Sequence, residues 1–106
     1  MSGKREEHKR PFASVMIDGV MWEVYSVPKA RMRKYAADGV SCKHDDNGRS
    51  WIEVWDQQLG RERLGTLLHE LGHALDWDEE DDAVIERRAQ ALAEVLWRDG
   101  WRRLDS

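Results

Sequence analysis

The sequence predicts an α+β domain, a small antiparallel sheet from its first half followed by two helices from its second. Three observations carry the prediction. Asp18-Gly19, the dipeptide that most favours a two-residue hairpin turn, is flanked by β-branched and aromatic residues. WIEVW at 51–55 reads as another strand, and from about Arg61 the apolar residues recur with mostly helical period. Strands first and helices second is the order of an α+β fold with the helices on one face of the sheet.

Taken in order, residues 1–12 (MSGKREEHKRPF) are charged and aperiodic and read as a flexible tail, in which His8 is incidental. SVMIDGVMWEVYSV at 14–27 forms the hairpin, ending near Pro28. KARMRKYAA at 29–37 suits a short helix closed by Gly39, and DDNG at 45–48 is a turn. After the strand at 51–55, one helix is expected over Arg61–Trp77. A second is expected over Glu79–Arg98, with Asp78 as N-cap and Gly100 just past its end.

A chain of 106 residues buries about 65% of its unfolded surface in one core, which leaves residues 13–106 as a single domain. With 41% hydrophobic and 36% charged residues, the composition excludes a disordered chain. The net charge of −4 is split unevenly. Ten Lys/Arg stand against seven Asp/Glu in residues 1–50, and seven against fourteen thereafter, so neither half is basic enough for a nucleic-acid partner. The single cysteine, Cys42, forms no internal disulfide and suits a reducing compartment. The first dozen residues lack the apolar segment of a secretion signal and no stretch spans a bilayer, so the expectation is a cytoplasmic protein with no membrane partner.

His69-Glu70-Leu71-Gly72-His73 is an H-E-x-x-H motif, which arises by accident in a chain this long on the order of once in a few hundred sequences. On a helix, residues four apart stand one turn above the other, so the two imidazoles converge on one metal ion. Glu70 lies about 100° around the wheel from His69, away from the ion and within reach of a water on it, the general-base position. Leu64, Leu67, Leu68, Leu71, Ala74 and Leu75 fall in an arc opposite the histidines and are expected to face the core. Gly65, Thr66 and Gly72 leave room beside the histidines for an ion, a substrate or a neighbouring helix. If the second helix turns back from Glu79, Glu86 returns at about 10 Å from the turn, between His73 at about 6 Å and His69 at about 12 Å. Glu79 and Glu80 stay at the turn, so Glu86 is the expected third ligand.

TLLHELGHALDW followed by EEDDAVIERRAQALAEVL resembles the small phage and bacterial zincin-like metallopeptidases, minimal gluzincins, over residues 51–98. The resemblance implies a zinc metalloendopeptidase: one Zn2+ per chain held by His69, His73 and Glu86, Glu70 as base, and a peptide or protein substrate. Glu86-Arg87-Arg88-Ala89-Gln90 is similar to the family's glutamate pattern, with Gln90 where an aspartate or asparagine is usual. That position normally bonds a zinc-ligating histidine, which a glutamine carbonyl can also accept. The family also places an edge strand antiparallel to bound peptide, where Trp51–Trp55 stands. Glu79, at the metzincin spacing from His69, lacks the glycine that family needs at position 76. Cys42 with His44 forms a C-x-H pair, and Tyr25, Tyr35 and His44 are the candidates for stabilising an oxyanion. The competing readings are a zinc-containing protein of the same fold that binds a peptide or partner without cutting it, and a regulator acting with a DNA-binding repressor.

Overall fold

Asp18 and Gly19 both take positive φ, 49° and 79°, the conformation of a type I′ turn. They join β1 (Ala13–Ile17) to β2 (Val20–Val27), which pair antiparallel from Ala13↔Val24 to Ile17↔Val20. The computed structural model describes residues 10–33 and 37–102, and the start of the tail expected over 1–12, His8 included, lies outside them. Ordered pairing reaches back to Phe12, whose N–H donates to the carbonyl of Val24 at 2.8 Å.

After Pro28 a short helix α1 occupies Lys29–Arg33, and the rest of the expected helix, apart from Ala37, lies outside the described residues. Gly39 does not close a helix. It opens a strand, β3 (Gly39–Cys42), which pairs antiparallel with β4 (Ser50–Trp55). β4 also pairs parallel with β2, in the order β1-β2-β4-β3. The fold class is therefore α+β, but two expectations need correction. The sheet is mixed rather than antiparallel, and Trp51–Trp55 is an interior strand, because β3 takes the edge it was expected to offer. The tryptophans of β4 pack the sheet: Trp51 and Trp55 lie against a cluster of Tyr25, Val27 and Met32. Lys29 caps the Trp55 ring at 4.2 Å. Trp22, Val24, Ile52 and Val54 are also buried, on alternate positions of β2 and β4.

The β3–β4 loop is organised by one side chain. Asp45 accepts from the backbone N–H of Asn47 (2.8 Å) and Arg49 (2.9 Å) through Oδ1, and from the Trp51 indole (3.0 Å) through Oδ2. The Arg49 amide is the main cause that holds its carboxyl below the usual range; burial opposes it, and the Asn47 amide, the indole and the Arg49 charge add to the lowering. A depressed folded-state value stabilises above the ordinary aspartate pKa and is lost as pH falls through the depressed value. Asp45→Ala is therefore expected to cost about 1–2 kcal/mol at pH 7. The difference from wild type should shrink in acid, measured by urea denaturation at pH 7 and pH 3.

The chain divides after Gln57 into two compact units. The second holds the two long helices, α2 (Gly60–Leu75) and α3 (Asp82–Arg98). α3 begins three residues later than expected, because the N-cap is Asp81, whose side chain accepts from Ala83 N–H at 3.0 Å, and not Asp78. Gly100 follows α3 at φ 95°, as its C-terminal signal requires. The leucine arc of α2 is not its most buried side. Of the expected arc Ala74 is buried, but Leu75 is 64% exposed and the other leucines are half-buried, while Arg63, Gly65 and Glu70 are buried. Among the described residues no helix is long and apolar enough to cross a membrane.

Candidate metal centre

α2 and α3 meet along two rows of residues spaced by four, one from each helix. Arg61, Gly65, His69 and His73 run up α2, and Glu94, Gln90, Glu86 and Asp82 face them in that order on α3. Small residues set the close approach. A methyl group added at Gly72 would lie 3.1 Å from Ile85 Cγ2, and one at Gly65 3.1 Å from Gln90 Nε2.

At one end of this seam three ligand atoms converge. His69 Nε2 and His73 Nε2 are 3.1 Å apart, and Asp82 Oδ1 lies 3.1 Å from the first and 2.9 Å from the second. The rings meet edge to face at 66°. Nitrogens at about 2.0–2.1 Å and a carboxylate oxygen at about 2.0–2.2 Å on tetrahedral zinc are themselves about 3.3 Å apart, close to the edges of this triangle. The donor set fits zinc chemically as well, with two imidazoles and one carboxylate.

Glu86, expected as the third ligand, is brought to the site at the other ring nitrogen of His69, its Oε1 lying 2.6 Å from Nδ1. An ionised carboxylate only accepts, so Nδ1 carries the proton, and in the neutral imidazole Nε2, on the side of His73 and Asp82, is the nitrogen left with a lone pair for a metal ion. The carboxylate that meets both Nε2 atoms is Asp82, in the first turn of α3, which the sequence reading passed over. The reason is register: with the inter-helix turn at 76–81, the ring of His69 is level with Glu86 and that of His73 with Asp82. The signal lay in the four-residue spacing of Asp82, Glu86 and Gln90 opposite Gly65, His69 and His73. Glu79 and Glu80 stay in the turn, where the Glu79 side chain accepts from Asp81 N–H at 3.0 Å. Gln90 does not reach a histidine. Its Nε2 donates to Glu86 Oε2 at 3.0 Å.

The electrostatics follow from this packing. Burial pulls the His69 pKa down, but the hydrogen bond to Glu86 and the charges of Glu70 and Asp82 outweigh it, and the net direction is up. Asp82 is moved the other way: slight burial opposes, and the two histidines hold its carboxyl below the usual range. The histidine side chains are 18% and 23% exposed and Asp82 71%, so the site opens to solvent on the Asp82 side. Glu70 is 7% exposed, about 100° from His69 and 60° from His73 on the wheel of α2.

The remaining candidates belong to the sheet unit. Tyr25 is buried and donates to Glu23 Oε1 at 3.0 Å; burial first, then that bond, pushes its pKa up to about 12. Cys42 is half-buried, and burial followed by the charges of Asp45, Asp46 and Glu53 pushes its thiol up, away from the reactive thiolate. His44 is exposed, at φ 57°, with its backbone N–H donating to Ser50 Oγ. Tyr35 lies outside the described residues. Comparison of the chain with protein-family models, with characterised proteins and with solved structures finds no match.

Proposed function

We propose that this chain is a zinc-dependent metallopeptidase, with the ion held by His69, His73 and Asp82, Glu86 orienting His69, and Glu70 as general base. The observation that carries the reading is the convergence of two imidazole nitrogens and a carboxylate oxygen within 3.1 Å of one another on an H-E-x-x-H helix. Three protein ligands and a solvent-facing side are the arrangement of a catalytic zinc site, since structural sites are closed by a fourth ligand. Bound zinc supplies Lewis-acid activation of water and of the scissile carbonyl. Glu70 then takes the proton of the attacking water and passes it to the leaving amine, so the peptide bond is replaced by a carboxylate and a free amine. The resemblance to minimal gluzincins supports the same chemistry with Glu86 as third ligand, and the geometry favours Asp82 in that place. A cytoplasmic setting belongs to the same proposal and rests on the lone cysteine.

The test is elemental analysis of protein purified without added metal, combined with cleavage of a peptide library. Near-stoichiometric zinc with cleavage supports the reading. Zinc without cleavage of any peptide favours a binding protein of the same fold, and protein that cannot be loaded with zinc excludes both. The ligand assignment separates by mutation. Glu86→Ala is expected to weaken zinc binding about 10–100-fold while leaving the site able to fill, as for loss of a histidine's outer partner. Asp82→Ala, removing a ligand, should weaken it further, and the reverse order in a chelator competition would return the ligand role to Glu86.

A further inference from the structure

Gln90 and Arg61 stand outside the metal centre, and their hydrogen bonds point into it. Arg61 Nη1 donates to Gln90 Oε1 at 2.9 Å, and Nη2 to Gln90 O at 3.4 Å and to Glu94 Oε1 at 3.2 Å. Glu94 is held in turn by Arg98. A guanidinium carries donors only, so the amide oxygen of Gln90 must face Arg61 and its NH2 must face Glu86. The NH2 donates to Glu86 Oε2, which leaves Oε1 for the Nδ1–H of His69. Gly65 supplies the seat: an added Cβ would meet the Gln90 amide nitrogen at 3.1 Å.

We infer that Gln90, locked in one amide orientation by Arg61 and seated over Gly65, is a positioning residue for the metal centre that acts through Glu86 on His69. The inference rests on the metal reading above. Each group in the series has its role forced by the next: a cation selects the amide face, the amide selects the carboxylate oxygen, and the carboxylate selects the imidazole tautomer. It also explains why glutamine at position 90 serves where an acid would not. A carboxylate there can pair with Arg61 but turns a second negative oxygen toward Glu86.

The experiment measures zinc affinity of the full chain by competition with a chromophoric chelator, with the melting temperature in EDTA as the check on folding. Gln90→Leu and Gln90→Glu are expected to bind zinc about tenfold more weakly than wild type, the lower end of outer-partner effects. Their metal-free melting temperatures should stay close to that of wild type. In the Glu86→Ala background, Gln90→Leu should change zinc affinity no further, because the route through Glu86 is already cut. A merely structural role predicts an equal loss in both backgrounds and a lowered metal-free melting temperature, and that result overturns the inference. So does wild-type affinity in both Gln90 variants while the wild-type protein binds zinc. A wild-type protein that takes up no zinc overturns the metal reading itself, and this inference with it.

Discussion

Glu70→Gln is expected to leave zinc in place and to abolish most peptide hydrolysis. Glu70 lies about 60–100° around α2 from the two histidines, so its carboxylate is not among the converging ligand atoms, and metal affinity should not depend on its charge. Catalysis should, because an amide cannot take a proton from water. Loss of a general base costs about 10²–10⁴-fold in rate, equivalent to about 3–5.5 kcal/mol of barrier. Glutamine has nearly the same volume, which matters at a position only 7% exposed, where a shortened side chain would leave a cavity. Zinc content, melting temperature and turnover of the best library peptide together check the prediction. Cleavage at the wild-type rate would move the base role to another residue, and loss of zinc along with activity would make Glu70 part of the ligand set.

The second large effect concerns stability, in the sheet unit. Glu53, on the interior strand β4, is fully buried, and Arg31 of α1 closes on it with a fork: Nε at 3.1 and 3.0 Å from the two carboxylate oxygens, Nη2 at 2.9 Å from Oε2. The Arg31 side chain is itself only 10% exposed. A pair this deep is worth little compared with a well-packed apolar pair, but removing Arg31 takes a guanidinium charge and its fork of hydrogen bonds from a carboxylate that stays buried. Arg31→Ala is therefore expected to destabilise the protein by about 3–5 kcal/mol. Arg31→Met combined with Glu53→Leu should recover most of that loss, as neither charge of the pair is then left buried without the other. Urea denaturation of the single and double variants measures both. A single-variant loss below about 1 kcal/mol would mean that the other surroundings of Glu53 suffice for its charge and that the fork does not hold α1 to the sheet.

What could be read from sequence was local. Asp18-Gly19 specified its hairpin because two adjacent positive-φ residues suit few other structures. The four-residue spacing of His69 and His73 on a helix is likewise a property of that helix alone. What was missed depended on partners distant in the chain. GVSC at 39–42, with a glycine and a serine, has no strand signature of its own, and it becomes β3 only because β4 is there to pair with it. That pairing in turn removes β4 from the edge and leaves its other side to β2 in parallel. No local pattern distinguishes the two directions. On α2 the apolar arc of leucines suggested the buried face, yet beside Ala74 the deeply buried stripe contains Arg63 and Glu70, charged residues that a hydrophobicity pattern assigns to solvent. The choice of candidate for a third ligand turned on helix register. Glu86 was rightly placed on the seam, but which of two carboxylates one turn apart meets the Nε2 atoms depends on where α3 starts, and the acidic run 76–82 offers several N-caps of equal merit.

The central claim is that His69, His73 and Asp82 hold one zinc ion, with Glu86 behind His69. A crystal structure of the zinc-loaded protein, with data collected on both sides of the zinc absorption edge, tests it most directly. The account predicts one anomalous peak per chain, about 2.0–2.1 Å from the Nε2 atoms of His69 and His73 and about 2.0–2.2 Å from an Asp82 carboxylate oxygen, with Glu86 bonded to His69 Nδ1. A peak bound by Glu86 with Asp82 turned to solvent would contradict the ligand assignment, and zinc bound away from both histidines would contradict the account as a whole.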